Sequence, residues 1–128
     1  MDAPAQTIRR LGPGDEDVVR CLAEREPRTA LLADERTLFF AAFDGDHPVG
    51  FAFGYDLPRR HGKAAIRFVY EIDVDEPYRR QGLGRRLLEA LLEGSEEAFV
   101  LTEADNEAAN ALYASLGGVR SDAVMWDF

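Results

Sequence analysis

The chain has 128 residues, 46% of them hydrophobic and 30% charged, and carries a formal net charge of −9. These values are typical of one globular domain that is large enough to bury a core. The acidic balance argues against general nucleic-acid binding, and no apolar run approaches the roughly 18 residues of a membrane span. We therefore expect no nucleic-acid partner and no membrane partner, and the surplus of acidic groups suits a cationic small molecule.

Cysteine usage and the N-terminus indicate the compartment. Cys21 is the only cysteine, which excludes an internal disulfide and a cysteine-ligated metal site. Residues 1–6 lack the basic start and the apolar stretch of a signal peptide. We expect a single domain over residues 1–128, located in the cytoplasm and without a bound metal.

Hydrophobic periodicity and turn residues predict the element order β, α, α, β, β, β, α, β, α, β. The predicted ranges are strand 7–11, helices 16–26 and 28–34, strands 38–43, 49–57 and 66–74, helix 84–93, strand 98–102, helix 107–116 and one or two strands within 119–128. The second to fourth strands form an antiparallel meander, and the crossover through the next helix adds a parallel strand. The expected fold is a mixed α/β sheet with helices on both faces.

The stretch from Tyr78 to Leu88 joins a strand to a helix through a glycine loop. The apolar-rich strand 66–74 leads into it, and leucines at helical spacing follow Gly84. Glycine lets a backbone approach a ligand closely, and the first N–H groups of a helix attract an anion. Four arginines flank the turn: Arg79, Arg80, Arg85 and Arg86. The stretch therefore predicts a phosphate-binding site.

Three kinds of phosphate-binding loop compete for this stretch. The dinucleotide fingerprint requires a third glycine after Gly84, and the nucleotide-triphosphate loop requires lysine where this chain has Arg85. The residues Arg79-x-x-Gly82-x-Gly84 resemble the acyl-coenzyme-A loop of the GCN5-related N-acetyltransferase superfamily, written Gln/Arg-x-x-Gly-x-Gly/Ala. The alternative is a tight strand-to-helix turn with solvated arginines.

A second block also resembles this superfamily. Residues 106–117 read Asn-Glu-Ala-Ala-Asn-Ala-Leu-Tyr-Ala-Ser-Leu-Gly, similar to the family pattern Asn-x-x-Ala-x-x-Leu-Tyr-x-x-x-Gly. The block follows the glycine loop at the expected distance, although Gly118 stands where the family usually has an aromatic residue. The resemblance implies the family's fold, a mixed and mostly antiparallel sheet of about six or seven strands with about four helices. It also implies acetyl-coenzyme A (acetyl-CoA) as cofactor.

The resemblance implies a role for each matching position. The implied cofactor-binding residues are Ile72, Asp73, Val74, Arg79, Arg80, Gln81, Gly82, Leu83, Gly84, Arg85, Asn106, Asn110 and Tyr113. Loop amides would hold the pyrophosphate, and main-chain groups of Ile72 and Val74 would pair with the pantetheine arm. The amide near Ile72 would polarise the thioester carbonyl. Tyr113 would protonate the leaving thiolate, and its alternative role is that of a core aromatic residue.

The implied reaction is the attack of a neutral amine on a thioester. Because a normal amine is mostly protonated at neutral pH, a base or a water chain must remove a proton. Glu71 is the candidate base, since it precedes Ile72, and Asp73 lies on the same strand face. Alternatively, these two acids bind a cation or form a solvated strand face.

Shorter motifs indicate a substrate class. Residues 70–74, the pair Ala104-Asp105 and the ending 124–128 resemble the aminoglycoside 3-N-acetyltransferase branch, in which Tyr-Asp stands where this chain has Tyr70-Glu71. The acids expected to line the pocket are Glu71, Asp73, Glu103, Asp105 and Asp127. The resemblance implies an antibiotic-resistance enzyme and, since relatives are often dimers, a homodimer. The alternatives are acetylation of another amine (a polyamine, an amino-acid derivative or a protein N-terminus) and a non-catalytic acyl-CoA-binding module.

Overall fold

A computed structural model describes residues 6–62 and 64–128, so the expectation drawn from the first five residues lies outside the described part. The strands are β1 Thr7–Leu11, β2 Thr37–Asp44, β3 His47–Leu57, β4 Ile66–Val74 and β5 Ala98–Val100. The α-helices are α1 Glu16–Leu22, α2 Leu83–Leu92 and α3 Glu107–Ser115, and short 3-10 helices span Thr29–Ala33 and Glu76–Tyr78.

The sheet follows chain order, β1-β2-β3-β4-β5. The pairs from β1 to β4 are antiparallel, which confirms the predicted meander, and β5 joins β4 in parallel after the crossover through α2. The parallel pairing covers only Arg67–Val69 of β4. Beyond Val69, β4 therefore has an open edge on the side of β5, just before the glycine loop.

The two faces of β4 have different surroundings. On one face, Val69, Ile72 and Val74 pack against α2, whose four leucines at positions 83, 87, 88 and 91 are buried. We call this the packed face. On the other, Glu71 and Asp73 lie beside Phe53 and Phe51 of β3 in register, and α1 covers only part of the surface. We call this the open face. Because side chains alternate along a strand, β4 presents both environments within five residues.

Arg67 links β4 to the end of α2. It is the one buried charged side chain of the described residues, with an exposed fraction of 8%. Its guanidinium donates to both carboxylate oxygens of Asp56 at 2.8 and 3.1 Å and to the carbonyls of Leu91 and Glu93 at 2.8 and 2.9 Å. These bonds satisfy carbonyls that a helix C-terminus leaves without partners, so Arg67 fixes α2 against the sheet.

The strand count predicted from the resemblance is wrong: the described residues form five strands rather than six or seven. Residues 119–128 contain no strand, and the apolar side chains Val119, Val124, Met125, Trp126 and Phe128 are all more than half exposed. A segment that buries little apolar surface gains little to offset the entropy cost of ordering its backbone. The predicted strand after α2 is also shorter, since it ends at Val100.

The helix count is wrong as well, because the described residues form three α-helices rather than four. Helix α1 ends at Leu22 instead of continuing to Glu26, where a following proline disfavours helical backbone. The predicted second helical piece is a single 3-10 segment, Thr29–Ala33. The predicted central and last helices agree with α2 and α3 to within a residue. No helix among the described residues is long and apolar enough to cross a membrane.

Candidate active site

The glycine loop between β4 and α2 has the geometry of an anion site. Gly82 is the N-cap of α2 and has φ +82°, a left-handed conformation that side chains rarely adopt. At Gly84, by contrast, an added Cβ would meet only Leu112, at an ordinary 3.8 Å. Neither backbone angle nor internal packing demands glycine at 84. Glycine at this position leaves the first turn of α2 open to close approach by a ligand.

The backbone amides of this loop also favour an anion site. The first hydrogen bond that closes α2 runs from the N–H of Arg86 to the carbonyl of Gly82. Within the described residues, no acceptor is recorded for the N–H groups of Gln81, Gly82, Leu83, Gly84 and Arg85, and no side chain caps the helix. Unpaired amides at a helix N-terminus bind anions. The first turn of α2, which we call the cradle, therefore presents these amides to an anionic group.

Two contacts hold the loop in place. Tyr78 donates its hydroxyl proton to Asp44 at the end of β2, at 2.7 Å, and this bond to a carboxylate raises the pKa of Tyr78. Arg79 donates from Nε to the carbonyl of Val74 at 2.7 Å and lies 3.4 Å from a carboxylate oxygen of Asp73. Arg79 therefore braces the end of β4 rather than reaching toward the cradle.

Of the other three arginines, two are bonded to other parts of the chain and one has no recorded partner within the described residues. Arg85 pairs with Glu89 at 2.9 Å and donates to Ser115 Oγ at 2.9 Å, which ties α2 to the end of α3. Arg86 donates to the carbonyl of Gln6. Arg80 is exposed, has a positive φ of 62°, and has no recorded partner among the described residues. Of the predicted arginines, Arg80 is the one whose charge is available to a phosphate at the cradle.

The open edge of β4 lies next to the cradle. The N–H of Val74 donates to Asp73 Oδ1 at 3.0 Å and its carbonyl accepts from Arg79, so both groups point away from β3. Ile72, two residues earlier, has its main-chain groups on the same side. For Ile72 no partner is recorded in the described chain, whereas the groups of Val74 are already bonded. An extended ligand would therefore pair with β4 mainly at Ile72.

Tyr113 lies on α3, half-buried against the packed-face cluster. Burial raises its pKa, so its hydroxyl remains protonated and able to donate. The end of α3 is closed by N–H groups of Gly117 and Gly118 that donate to the carbonyls of Ala114 and Tyr113. A Cβ at Gly118 would lie 2.8 Å from the Tyr113 carbonyl, which explains glycine where the family usually has an aromatic residue.

The two predicted asparagines support α3 rather than face the cradle. Asn106 caps the helix by accepting from the N–H of Ala109 at 3.1 Å. Asn110 donates to the carbonyls of Asn106 at 2.8 Å and Glu103 at 3.1 Å. Their local bonds position the helix that carries Tyr113, and their contact with a cofactor arm stays a prediction.

A cavity of about 450 Å³ opens on the open face. Its floor is formed by Phe39, Phe51 and Phe53, whose ring centroids lie 5.1 to 6.3 Å apart. Glu71 and Asp73 line it from β4, and the segment after α1 lines it as well. The rim side chains of that segment are Ala23, Glu24, Arg25, Glu26 and Pro27. An aromatic floor with acidic walls suits an organic cation.

Glu71 has the electrostatics of a base. Its side chain reaches the mouth of the cavity, yet the walls displace enough water that burial raises its pKa, and the charges of Asp73 and Glu24 raise it further. Beside it, Tyr70 is left without a register partner at a β-bulge between Phe53 and Gly54. Bulges re-aim side chains near functional sites. A carboxylate with a raised pKa accepts a proton from an amine more readily than an ordinary one.

The structure brings together some of the predicted substrate acids but not all of them. Glu71 and Asp73 share the cavity, whereas Glu103, Asp105 and Asp127 lie in exposed segments that do not line it. The sequence analysis missed the aromatic floor and Glu24. The period-two phenylalanines of β3 were a usable signal, but no local pattern places a residue after α1 beside β4. In the described part of the chain, no group of three or more His, Cys, Asp or Glu side chains could hold a metal ion.

Comparison with known proteins decides the family. Residues 8–118 match the Acetyltransferase (GNAT) family. The chain belongs to this family. Members of the GNAT family use acetyl-CoA as acyl donor. The described residues fit that group, because the amide cradle can hold a diphosphate and the open edge of β4 at Ile72 can pair with an extended arm.

Curated relatives of this GNAT chain are longer than it is. An uncharacterized protein of Mycobacterium leprae (strain TN) is 33% identical over 123 residues, which cover 91% of this chain and 31% of that protein. The [ribosomal protein bS18]-alanine N-acetyltransferase of Escherichia coli (strain K12) is 50% identical over 54 residues, 38% of this chain and 36% of the relative. The match thus spans about a third of the length of these curated relatives.

Solved structures share the fold over nearly the whole chain. The aminoglycoside acetyltransferase HMB0005 from an uncultured soil metagenomic sample is 25% identical, with a TM-score of 0.84 and 97% of each chain covered. The structure of AAC(6′)-Iy with a CoA-linked bisubstrate analogue is 18% identical, with a TM-score of 0.80 and 97% of each chain covered. At 18% identity, the second likeness concerns the fold alone.

Proposed function

We propose that residues 1–128 act as one N-acetyltransferase domain that moves an acetyl group from acetyl-CoA to a primary amine of a cationic small molecule. The observation that carries the proposal is the position of β4 between two complementary sites. Toward α2, β4 leads into the amide cradle, and on its open face Glu71 and Asp73 border the aromatic cavity. A donor held on one side and an amine held on the other would meet at residues 71–72.

The first step is preparation of the amine. Glu71 accepts a proton from the nitrogen, directly or through a water molecule, so that its lone pair is free to attack. Burial, followed by the charges of Asp73 and Glu24, keeps the pKa of Glu71 raised, and Asp73 also attracts the positive charge of the incoming ammonium group. The aromatic floor would receive the body of the acceptor.

The second step is transfer. Acetyl-CoA, when bound, supplies a thioester carbon that forms the new C–N bond as the C–S bond breaks. The N–H of Ile72 stabilises negative charge on the carbonyl oxygen during the attack. Tyr113 donates its hydroxyl proton toward the departing sulfur, because burial keeps that hydroxyl protonated. Exposed Arg80 and the amides of the first turn of α2 hold the diphosphate.

Aminoglycosides are the first acceptor class to test. The acidic walls of the cavity suit a polyamino sugar, and HMB0005, at 25% identity, is an aminoglycoside acetyltransferase. The motif likeness favours acetylation of the 3-amino group. A protein N-terminus is the second candidate, favoured by the 50% identity over 54 residues with the bS18-alanine N-acetyltransferase. The homodimer, the cytoplasmic location and a role in antibiotic resistance stay predictions.

The test is thiol release from acetyl-CoA with a panel of aminoglycosides, polyamines, amino-acid derivatives and N-terminal peptides, followed by mass analysis of the products. We expect turnover of at least one cationic amine and an acetylated product at one nitrogen. Peptide acetylation without aminoglycoside acetylation would favour the second candidate. Acetyl-CoA binding without turnover of any amine would reject catalysis and support a binding module.

A further inference from the structure

Glu24 faces the reaction site from an element that the sequence motifs do not include. It lies two residues after the end of α1, in a segment that lines the cavity together with residues of β4. Leu22 before it and Leu31 after it both pack against the open-face cluster of phenylalanines. Pro27 between them restricts the backbone further. The segment is therefore anchored at both ends, and Glu24 is held at the mouth of the cavity.

Acidic side chains from two elements line the cavity together with the floor. Phe51 and Phe53 of β3 lie beside Asp73 and Glu71 of β4 in register. Glu24 lines the same cavity from the segment after α1, near enough for its charge to act on Glu71. The floor itself carries no charge and offers ring faces to a cation. A ligand lying on the floor would therefore meet carboxylates from both elements.

We propose that Glu24 determines which acceptors bind, by holding a second ammonium group of the acceptor while the reacting amine lies at Glu71. This inference rests on the proposed function and narrows its substrate class to amines that carry at least two positive charges separated by an apolar or sugar body. A monoamine of the same length would occupy the floor but leave Glu24 without a partner.

Other charges near Glu71 determine how much the removal of Glu24 weakens dication binding. On β4 the neighbouring carboxylate is Asp73, which Arg79 partly neutralises at 3.4 Å. Arg25 and Glu26 line the same wall as Glu24 and oppose each other in sign. From β3, the phenol of Tyr55 lies near Glu71 and is uncharged at neutral pH, since burial raises its pKa. Because Glu24 is exposed, we expect its removal to weaken dication binding roughly three- to fivefold.

The experiment compares Glu24→Gln with the wild type on two matched acceptors, cadaverine and pentylamine. For the variant we expect a three- to fivefold higher KM for cadaverine and an unchanged KM for pentylamine. The acidic limb of the pH–rate profile should also shift to lower pH, because Glu71 loses a neighbouring negative charge. Glu26→Gln makes the same charge change two residues away. It should have a smaller effect on the KM for cadaverine and on the pH–rate profile. Glu96→Gln, in the turn before β5, serves as the control outside the cavity.

Two results would overturn the role of Glu24. One is an equal change for cadaverine and pentylamine, and the other is an effect of Glu26→Gln as large as that of Glu24→Gln. If the wild type turns over neither amine, the same comparison is made by calorimetric titration of cadaverine and pentylamine into the CoA-saturated protein. A wild-type preference for cadaverine that Glu24→Gln removes would then support Glu24 although the proposed catalysis had failed. Equal binding of the two amines would reject it.

Discussion

The packed face and the open face belong to the same strand, β4, but differ in how completely other elements cover them. The packed face buries aliphatic side chains against α2, with Leu87 and Leu91 fully buried. The open face has aromatic side chains that α1 covers only in part, and a cavity of about 450 Å³ remains. Dense packing fixes the direction of the first turn of α2, and incomplete covering leaves room for a substrate. One strand thereby positions a rigid cradle and borders an adaptable cavity.

The largest effect is expected on acetyl-CoA binding, from a substitution in the glycine loop that follows β4. Gly82→Asp adds a negative charge to the cradle and forces a side chain into a left-handed conformation. Loss of about two charge-assisted hydrogen bonds would weaken acetyl-CoA binding about 1000-fold. Calorimetry measures this directly. Gly94→Asp is the matched control, since Gly94 has a similar φ of 79° at the far end of α2 and should retain binding. Equal losses in both variants would contradict the cradle.

The next effect tests what holds α2 on the packed face. Arg67→Met removes the bonds to Asp56 and to two carbonyls at the end of α2, which leaves buried acceptors without donors. We expect the free energy of unfolding to fall by about 3 kcal/mol, measured by urea denaturation. Arg20→Met removes an exposed ion pair with Asp17 and should cost under about 1 kcal/mol. Similar losses in the two variants would mean that Arg67 does not anchor the helix.

On the open face, Glu71→Gln is expected to lower kcat about 100-fold at neutral pH, because the amine loses its base. The same change should increase stability. Since the pKa of Glu71 is raised in the folded state, the folded protein binds this proton more tightly, and the charged carboxylate destabilises the fold above that pKa. The gain in the free energy of unfolding should appear at neutral pH and vanish well below the ordinary value of 4.5. An unaltered pH–rate profile would remove Glu71 as the base.

The smallest effect concerns Tyr113 of α3, which we propose as the donor to the leaving sulfur. Tyr113→Phe should lower kcat roughly tenfold, below the usual range for general acids, because a thiolate is a good leaving group. Steady-state kinetics with saturating acetyl-CoA measures this. Tyr78→Phe removes a hydroxyl that fixes the loop and should raise KM for acetyl-CoA rather than lower kcat. If Tyr113→Phe behaves like the wild type, the leaving sulfur takes its proton from elsewhere.

The sequence allowed prediction of the features that depend on neighbouring residues. The meander, the crossover and the glycine loop all follow from local periodicity and turn residues. The packing of the tail was not predictable in this way, since residues 119–128 have strand-like composition but leave their large apolar side chains more than half exposed. A segment with strand propensity forms a strand only where it can pair with a sheet edge and pack its side chains against a core.

The candidate site shows the same difference between local features, which the sequence predicts, and distant contacts, which it does not. Motif likeness pointed to Gly82, Gly84 and Glu71, whose roles stay predictions, and it could not show that Arg79 and Arg85 bond to other parts of the chain. Glu24 could not be found, since its approach to Glu71 depends on how the segment after α1 folds over β3. Contacts between distant parts of the chain are set by packing and not by local pattern.

The most direct test of the account is an NMR titration of isotope-labelled protein, first with CoA and then with the amine that the acceptor panel identifies. We expect CoA to shift the amide resonances of Gly82, Gly84 and Ile72 and to leave those of Phe51 and Glu24 in place. The amine should then shift the resonances of Phe51 and Glu24. CoA-induced shifts centred on the aromatic cavity, with the loop amides unchanged, would contradict the division of the site by β4.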